Sequence, residues 1–437
     1  MSSWTSPARS DEVPDRAENA HEAFDLDAAL AHARRAARAL PRSDRAGALE
    51  AIAQALLDDQ DEIIAANAGD VERERAAGTA AALVDRLTLD GARLAAIAAA
   101  VRQVAALPDP LHRVLDGWTL PNGLRVRKVT VPFGVIAMIY ESRPNVTVDA
   151  AALAVRAGSA AVLRGSSNAL ASNRALVASM RRALGGFGLP ADAITLVDDP
   201  DRALVTRLLQ ARGRIDLAIP RGGGALIDHV VRTARVPVIE TGVGNCHVYV
   251  HADADLDVAH AIAMNAKVQR PGVCNAMETL LVHREVASSL LGRLLGSLAD
   301  AGVQLHGCER TLAIAAGEHD VERATEADWE TEYHDLELAV RVVDGLDDAL
   351  SHVDRYGTRH SEAIVTRSRA AAQRFQDEVD AAVVLVNAST RFTDGFEFGF
   401  GAEIGISTQK LHARGPMGLA EIVTHKYVID GDGQTRA

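Results

Sequence analysis

The chain has 437 residues, of which 48% are hydrophobic and 24% are charged. This composition is typical of a soluble globular protein, and the length is too great for a single hydrophobic core. Acidic residues outnumber basic residues by 59 to 46, and the net charge of −13 argues against a surface for nucleic acid or an anionic membrane. The three cysteines show no disulfide pattern, and no apolar run approaches the length of a membrane span. We therefore expect a cytoplasmic protein of two or three domains.

The chain begins with a polar segment and a long helical region. Residues 1–22 are rich in Ser, Asp, Glu and Pro, and this composition predicts a disordered lead-in. From 26 to 107 the sequence is rich in Ala and Leu at helical spacing, so we expect antiparallel helices. Residues 118–131 then alternate about a Pro-Asn-Gly turn, which predicts a β-hairpin with one polar face.

From residue 134 onward, apolar runs alternate with helical segments. Strands are predicted at 134–140, 160–163, 193–197, 216–219 and 236–240, and helices at 148–157, 169–184, 201–210 and 224–233. Repeated units of this spacing predict a parallel, doubly wound sheet that binds ligands at the carboxyl ends of its strands. A second alternating series runs from 252 to 387, and 421–430 is predicted to be a strand.

Two glycine-rich segments follow predicted strands. Arg221, Gly222, Gly223 and Gly224 open a predicted helix, where backbone amides and the helix N-terminus favour a phosphate; a merely flexible turn is the alternative. The Gly-Val-Gly segment that begins at residue 242 does not match a dinucleotide-binding fingerprint, because His247 replaces the third glycine and no helix follows.

Polar side chains lie at two further strand ends. Arg164, Ser166 and Ser167 combine a cation with two hydroxyl groups and no acid, a set that suits the ribose phosphate of NADP. A surface loop is the alternative for these three residues. Glu240 ends an apolar strand; a carboxylate there is usually only solvated, but at the mouth of a cleft it can relay protons.

Cys274 lies in the segment 269–279, which reads Gln-Arg-Pro-Gly-Val-Cys-Asn-Ala-Met-Glu-Thr. Pro271 and Gly272 interrupt regular structure just ahead of the cysteine, so we expect its thiol on a sharp turn. Taken alone, a cytosolic cysteine is more often a small buried hydrophobe than a nucleophile. The 15 histidines show no spacing typical of a metal site, and no metal is expected.

Five blocks of sequence together resemble the aldehyde dehydrogenase superfamily and, within it, the family of gamma-glutamyl phosphate reductases. They are residues 131–145, 219–224, 269–279, 343–364 and 398–405. The most specific block is 343–364, which contains His352 and the run Tyr-Gly-Thr-Arg-His-Ser-Glu-Ala-Ile; it departs from the family pattern by Val353 in place of isoleucine. The resemblance covers the chain from about residue 26 to its C-terminus.

The resemblance implies an α/β fold with two doubly wound, Rossmann-like domains and a small β arm used for oligomerisation. The implied boundaries are 23–116 and 132–242 for the cofactor-binding domain, 243–410 for the catalytic domain, and 117–131 and 411–437 for the arm. The expected partners are the small-molecule substrate, further copies of the chain in a homo-oligomer and, through the shared acyl phosphate, the glutamate kinase.

The resemblance also assigns roles to individual residues. Cys274 corresponds to the nucleophile and Glu240 to the general base; their separation, 274 − 240 = 34, is the usual spacing of the superfamily. Asn145 corresponds to the amide of the oxyanion hole, although Arg143 competes for that position. The residues assigned to the cofactor are Arg164, Ser166, Ser167, Arg221, Gly222, Gly223, Gly224 and Glu332. The cations assigned to the substrate are Arg143, for its α-carboxylate, and Arg270, which is also the candidate for the positive field that ionises Cys274.

The implied reaction is the NADPH-dependent reduction of L-glutamyl 5-phosphate to L-glutamate 5-semialdehyde, the second step of proline biosynthesis. The Cys274 thiolate would displace phosphate and form a thioester, which a hydride then reduces. No attack by water is needed, so Glu240 is expected to matter less than in relatives that hydrolyse a thioester.

Two alternatives remain open from the sequence. The first is another acylating aldehyde dehydrogenase that uses coenzyme A, against which the His-Ser-Glu run of the block 343–364 argues. The second is a catalytically silent, cofactor-binding partner of the kinase. The joint presence of Cys274, Glu240 and the glycine loop disfavours the second alternative, because a scaffold has no use for that set.

Overall fold

The structure of the protein, a computed structural model, describes residues 24–141 and 143–436. The predicted lead-in, 1–22, lies outside the described residues. The helices are α1 (Leu26–Ala39), α2 (Arg45–Asp58), α3 (Gln60–Ala76), α4 (Ala81–Leu87), α5 (Gly91–Ala106), α6 (Pro144–Arg156), α7 (Leu170–Gly186), α8 (Arg202–Leu209), α9 (Gly224–Thr233), α10 (Leu256–Val268), α11 (Arg284–Asp300), α12 (Glu309–Ala315), α13 (Glu326–Glu330), α14 (Leu346–Tyr356) and α15 (Arg369–Glu378). Short 3₁₀ turns lie at Leu40–Arg42, Ser167–Ala169, Ala191–Ala193 and Thr390–Phe392.

The strands form two parallel sheets and two small antiparallel sheets. Their bounds are β1 (Val114–Thr119), β2 (Arg125–Pro132), β3 (Val135–Tyr140), β4 (Ala160–Arg164), β5 (Ile194–Leu196), β6 (Leu217–Arg221), β7 (Cys246–Val250), β8 (Met277–His283), β9 (Gln304–Gly307), β10 (Glu322–Arg323), β11 (Glu337–Val343), β12 (Ser361–Val365), β13 (Val383–Val386), β14 (Ile406–Ser407), β15 (Gly415–Pro416) and β16 (Val423–Asp430). The predicted α/β fold with two doubly wound sheets is confirmed.

The first parallel sheet has the strand order β5-β4-β3-β6. β3 is buried along its whole length, because its alternate side chains pack against helices on opposite faces. Ile136 and Met138 join a core with α2, α5, α6 and α7, whereas Ala137 and Ile139 join a core with α1, α8 and α9. The predicted helical region 26–107 is confirmed as α1 to α5, whose apolar faces supply much of these cores.

One predicted strand of this region is wrong. Residues 236–240 contain only a single bridge to the sheet, between Val238 and Ala218. Pro237 is the second residue of the segment and has no backbone N–H, so it cannot donate to a ladder of hydrogen bonds. The segment instead leads from the first sheet towards β7 of the second.

The second parallel sheet has the strand order β10-β9-β11-β8-β7-β12-β13. Val248 and Val250 pack towards α10 and α11, whereas Tyr249 between them packs towards α14 and α15. The sheet is therefore covered on both faces, as expected for parallel strands that read as continuous apolar runs.

The predicted hairpin and terminal strand form one antiparallel sheet. β2 pairs with β1 on one side and with β16 on the other, so that Pro132 faces Val423 and Arg125 faces Asp430. The carboxyl edge of the first parallel sheet, where β6 ends at Arg221, faces the amino edge of the second, where Cys274 precedes β8. Within the described part of the chain, no helix is long and apolar enough to cross a membrane.

Candidate active site

Cys274 lies on a turn between α10 and β8. A buried ion pair joins the two ends of this turn, because Lys267 Nζ lies 2.6 Å from Glu278 Oε2 and both side chains are fully buried. Burial raises the pKa of Glu278 to about 7, against the opposing charge of Lys267, and burial also lowers the pKa of Lys267. Since either charge alone would be costly at this position, the pair holds the ends of the turn together.

The turn packs directly against the segment that leads into β7. A β-carbon on Gly244 would lie 1.6 Å from the carbonyl oxygen of Cys274, so only glycine lets the two backbones approach this closely. The thiol of Cys246 donates a hydrogen bond to the same carbonyl oxygen at 3.2 Å. Gly242 is also constrained, since a β-carbon there would lie 2.2 Å from Thr408 Cγ2. Close approach of the Cys274 backbone therefore accounts for the glycine at 244, and close approach of the Thr408 side chain accounts for the glycine at 242.

The Cys274 thiol is half-buried, and burial raises its pKa to about 11. The charge of Arg221 lowers this pKa, whereas Glu403 and Glu332 raise it. The expected positive field is thus present, but its source is Arg221 at the end of β6. Arg270, the candidate taken from the sequence, is exposed. Together with burial, its charge lowers the pKa of the neighbouring Arg391 instead.

Arg221, at the end of β6 in the first sheet, places its positive charge near Cys274. A β-carbon on Gly405 would lie 2.9 Å from Arg221 Nη1, so the guanidinium packs against the backbone of the segment 403–405. In the same segment, Glu403 accepts a hydrogen bond from the N–H of Gly395 at 2.9 Å, and burial raises its pKa. Glu403 lies in a block that carries the family resemblance, but no role was predicted for it, because only the folded chain brings residue 403 to the thiol.

Arg143 lies beside the same thiol, at the N-terminus of α6. Partial desolvation of its guanidinium, together with the positive charges of Arg221 and Arg86, lowers its pKa, whereas Cys274 raises it. Arg86 comes from α4, and a β-carbon on Gly272 would lie 3.4 Å from Arg86 Nη2. No local pattern in the sequence indicates a role for Arg86, because α4 has the pattern of an ordinary amphipathic helix far from the cysteine in the chain.

Asn145 is exposed on the first turn of α6, and its Nδ2 donates to Asp149 Oδ2 at 3.2 Å. An amide nitrogen carries two hydrogens, so one remains for a substrate oxygen while Asp149 orients the group. Burial raises the pKa of Asp149 to about 6, while Asn145 and Arg221 act in the opposite direction. The role of Asn145 in the oxyanion hole stays a prediction that this geometry permits.

Two carboxylates from the resemblance flank the segment 240–246. Glu240 is half-buried, and its backbone N–H donates to Gln409 Oε1 at 3.1 Å. Glu332 accepts from the N–H of Gly244 at 2.8 Å and lies 3.1 Å from His334 Nε2. Glu332 is thereby fixed next to the Cys274 turn, and its role at the ribose of the cofactor stays a prediction.

The glycine loop opens α9 at the carboxyl edge of the first sheet. Gly223 is the N-cap residue, and its N–H donates to Glu141 Oε2 at 3.0 Å. A β-carbon on Gly222 would lie 2.6 Å from the carboxyl carbon of Glu141, so this glycine allows the carboxylate to approach. A cofactor phosphate that used the N–H of Gly223 would have to displace Glu141.

Arg164 ends β4 on the same edge and is buried. Its guanidinium donates to the carbonyl oxygens of Gly165 and Pro200, and its Nε has no hydrogen-bond partner among the described residues. Ser166 and Ser167 follow directly, and the Ser166 hydroxyl hydrogen-bonds the side chain of Asn168. The predicted cofactor residues 164–167 and 221–224 therefore share one edge of one sheet, as expected for a nucleotide site.

The His-Ser-Glu run forms a buried layer behind the Cys274 turn. Ser361 donates its hydroxyl proton to Thr393 Oγ1 at 2.8 Å, so its oxygen accepts from His360 Nδ1 at 2.9 Å. Burial lowers the pKa of His360 to about 4, which keeps the ring neutral at pH 7. Glu362 accepts from the N–H of His247 at 2.9 Å. In the ranges 24–141 and 143–436, no cluster of three or more His, Cys, Asp or Glu side chains could hold a metal ion.

Comparison with known proteins identifies the family. The sequence model of the aldehyde dehydrogenase family matches residues 3–306. A gamma-glutamyl phosphate reductase of Moorella thermoacetica is 57% identical over 407 residues, which are 92% of this chain and 97% of that protein. The chain belongs to the gamma-glutamyl phosphate reductases of the aldehyde dehydrogenase family.

Solved structures of this family agree with the fold. The crystal structure of gamma-glutamyl phosphate reductase from Thermotoga maritima matches with a TM-score of 0.92 and 46% identity, covering 95% of this chain and 100% of that one. An engineered glycolyl-CoA reductase with bound NADP⁺ matches with a TM-score of 0.65 and 16% identity over 92% and 96% of the two chains, and this likeness concerns the fold alone. The predicted family and the predicted class, an oxidoreductase, are confirmed.

Within this aldehyde dehydrogenase fold, the predicted site residues fall into two groups. Cys274, Arg221, Arg143 and Glu332 act on one another or on one turn, whereas Arg164 and its serines lie along the cofactor-binding edge. Sequence reasoning missed Arg86, Cys246 and Glu403 and dismissed Gly244. Only the spacing of Cys246 and Gly244, next to a predicted strand end, could have suggested a role for them.

Proposed function

We propose that this chain reduces L-glutamyl 5-phosphate to L-glutamate 5-semialdehyde and phosphate, with NADPH as hydride donor and a thioester on Cys274 as intermediate. The observation that carries the proposal is the position of Cys274. Its half-buried thiol lies on a constrained turn where the two parallel sheets meet, and Arg221 of the first sheet lies beside it. Membership of the gamma-glutamyl phosphate reductases supports this choice of substrate.

The first step joins the sulfur of Cys274 to the acyl carbon of the substrate. The S–C bond forms, the bond between that carbon and the phosphate oxygen breaks, and the proton of the thiol leaves with the phosphate as hydrogen phosphate. A thiol with a pKa of about 11 is protonated at pH 7, so this proton is available at the leaving group. Arg221 favours the ionised sulfur as the bond forms.

The carbonyl oxygen gains negative charge in this step and again when hydride arrives. The second Nδ2 hydrogen of Asn145 is the side-chain donor for this oxygen, and Asp149 holds the amide through its first. Loss of one such donor typically costs about 10²- to 10³-fold in rate. After reduction, the C–S bond breaks and the aldehyde leaves, which returns the thiolate.

The residues along the carboxyl edge of the first sheet fit the cofactor. The unpartnered Nε of Arg164 and the hydroxyl groups of Ser166 and Ser167 suit the additional phosphate of NADPH, and the amides of Gly222 and Gly224, on either side of the amide that Glu141 occupies, suit its pyrophosphate. Glu332 is the carboxylate proposed for the ribose next to the nicotinamide. When bound, NADPH supplies a hydride to the thioester carbonyl. Because no water attacks, Glu240 is not required as a base.

The proposal is tested in the reverse direction. Purified protein is incubated with glutamate 5-semialdehyde and NADP⁺, and the absorbance of the reduced cofactor is followed with phosphate, with coenzyme A, or with neither. Turnover that requires phosphate is expected. Turnover that requires coenzyme A would favour an acylating dehydrogenase of another type, and absence of turnover in all three mixtures would favour a silent cofactor-binding protein.

The three-stranded sheet is the proposed contact between copies of the chain. All six residues of β1 are exposed, and Leu115 and Trp118 expose apolar side chains together with Tyr427 and Ile429 of β16. Apolar side chains on an open sheet favour a partner. A homo-oligomer measured by light scattering that becomes smaller in Trp118→Ser would support this arm; an unchanged mass would contradict it.

A further inference from the structure

Three arginines from separate parts of the chain converge on Cys274. Arg86 comes from α4, Arg143 from the N-terminus of α6, and Arg221 from the end of β6. Arg221 is the strongest charge favouring ionisation of the thiol, and Arg143 in turn responds to Cys274, Arg221 and Arg86. The backbone positions agree: Arg86 Nη2 lies against Gly272, two residues before the cysteine, and Arg221 Nη1 lies against Gly405.

These three guanidinium groups have no ion pair with a carboxylate among residues 24–141 and 143–436. Arginines elsewhere are commonly paired, as Arg310 is with Asp344 at 2.6 Å and Arg414 with Asp380 at 2.7 Å. Among the nearby acids, Glu141 acts on Arg143 without forming an ion pair and accepts a hydrogen bond from the N–H of Gly223, while burial raises the pKa values of Asp149 and Glu403 and so disfavours their anions. Like charges held together without counterions imply that the cleft is completed by an anion.

We propose that Arg86, Arg143 and Arg221 form the binding site for the phosphate group of the acyl phosphate substrate and for the phosphate product. This inference rests on the proposed function and names the part of the substrate that each arginine contacts. Guanidinium groups suit this ligand because they present several N–H donors and retain their charge. The site accounts for three arginines, of which the sequence analysis had named Arg143 and Arg221 in other roles and had not named Arg86.

Distance along the substrate separates this site from one for the α-carboxylate. The phosphate is bonded through oxygen to the very carbon that Cys274 attacks, so it lies next to the sulfur when the S–C bond forms. The α-carboxylate lies at the other end of the glutamyl chain, beyond three further carbons. Arg143 and Arg221, which interact with the thiol, and Arg86, which lies against Gly272, are therefore placed for the phosphate. Arg143 is thus assigned to the phosphate and no longer to the α-carboxylate for which the sequence made it the candidate.

The site also has a consequence for the leaving group. When the C–O bond breaks, negative charge accumulates on the phosphate oxygen, which then takes the proton of the Cys274 thiol. Cations at that oxygen stabilise the charge as it develops, which is the effect that lowers the barrier most efficiently. The same cations would retain phosphate for the reverse reaction.

The test uses inorganic phosphate and the reactivity of Cys274, so it does not depend on turnover. Iodoacetamide labelling of Cys274 is followed by peptide mass spectrometry at pH 8.5 with increasing phosphate, with matched sulfate and chloride series at equal ionic strength. Saturable slowing by phosphate is expected in the wild type. In Arg86→Ala, Arg143→Ala and Arg221→Ala, the concentration for half-protection should rise by about tenfold or more. Arg369→Ala, an exposed arginine on α15, is the control and should behave as the wild type.

Kinetics in the reverse direction supply the second measurement. The KM for phosphate should rise about tenfold or more in each of the three variants, while the KM for semialdehyde changes far less. A wild type that shows no protection by phosphate but retains phosphate-dependent turnover would overturn the arginine site and leave the proposed reaction intact. Protection without turnover of the semialdehyde would support an anion site and contradict the proposed function. Thermal unfolding of each variant identifies any loss of fold, and Arg143→Lys, which keeps the charge, should restore part of the protection.

Discussion

Two cysteines lie at opposite edges of the seven-stranded sheet and differ in the direction in which the protein shifts the pKa of the thiol. Cys274 precedes β8 at the amino edge, and burial raises the pKa of its thiol. Cys308 follows β9 at the carboxyl edge and lines a cavity of about 410 Å³. Burial opposes ionisation of Cys308 as well, but hydrogen bonds from Thr311 and from the backbone N–H groups of Val342, Thr311 and Arg310 outweigh it and lower its pKa.

The arginines at the two edges also differ, in whether they form ion pairs. Arg310, Arg323 and Arg341 line the cavity of Cys308, and each is paired, with Asp344, Glu309 and Asp348 respectively. The arginines beside Cys274 have no such partner among the described residues. A low thiol pKa alone therefore does not locate the reaction. The edge proposed for the reaction is distinguished by arginines without ion pairs among the described residues and by a turn that packs closely against Gly244.

The largest difference between the two edges is expected when the thiol of each cysteine is removed in turn. Cys274→Ala should lower turnover by at least about 10⁴-fold, because no other group can hold the acyl chain. Cys308→Ala should retain turnover within about twofold, since its cavity takes no part in the proposed steps. Initial rates of the phosphate-dependent reaction measure both variants, and titration with NADP⁺ verifies that Cys274→Ala still binds the cofactor. Wild-type turnover in Cys274→Ala would refute the nucleophile.

The ion pairs beside the two cysteines should differ in their effect on stability. Glu278→Gln leaves Lys267 buried without a counterion and should lower the free energy of unfolding by about 3–5 kcal/mol. Asp344→Asn removes the partner of the exposed Arg310 and should leave the midpoint of urea unfolding almost unchanged. In Lys267→Met/Glu278→Leu, both charges are absent and much of the loss should be recovered. Equal losses in Glu278→Gln and Asp344→Asn would show that the pair at the turn has no special role.

The turn itself is tested by adding one methyl group. Gly244→Ala places a β-carbon within bonding distance of the Cys274 carbonyl oxygen, so the turn must move. A displacement of about 1 Å at a reacting group costs on the order of 10²-fold in rate, and kcat is expected to fall by that amount. Gly292→Ala on α11, where a β-carbon meets no atom within 4 Å, is the matched control. Unchanged kcat in Gly244→Ala would mean that the turn tolerates displacement.

The smallest effect concerns the pH dependence of labelling. Only the thiolate reacts with iodoacetamide, and the pKa of Cys274 is about 11, so its labelling rate should rise about tenfold per pH unit from pH 7 to 10. Cys308, whose pKa is lowered, should approach a constant rate at a lower pH. Quantitative peptide mass spectrometry of the cofactor-free protein compares the two. A plateau for Cys274 below pH 8 would contradict the raised pKa.

Local patterns in the sequence predicted the elements well. The hairpin 118–131, the turn at Cys274 and the helix 224–233 depend on residues that are neighbours in the chain, so spacing and turn chemistry reveal them. The prediction of a strand at 236–240 was wrong because it relied on the apolar pattern and gave too little weight to Pro237. The resemblance then supplied Cys274, Glu332 and the glycine loop as members of one site.

The contacts that make the site work were not predictable from spacing. Arg86 and Gly272 are separated by 186 positions (272 − 86), and Glu403 reaches Arg221 from the far end of the chain. Gly244 was dismissed because it fails a nucleotide fingerprint, whereas its actual constraint is the carbonyl oxygen of Cys274. Such constraints arise from tertiary packing, and no local pattern in a single sequence reveals them.

The pairing of β2 with β16 has a consequence for how the protein is made. β2 is synthesised about 300 residues before its partner, since Arg125 pairs with Asp430, so one edge of the hairpin stays open until β16 has left the ribosome. The first parallel sheet and its helices use nearer contacts and can fold earlier. Arg125, Arg127 and Lys128 place positive charge along the waiting strand, and charged side chains on an open edge disfavour pairing with other chains. The charges of β2 are therefore expected to disfavour aggregation of the nascent protein until β16 is available for pairing.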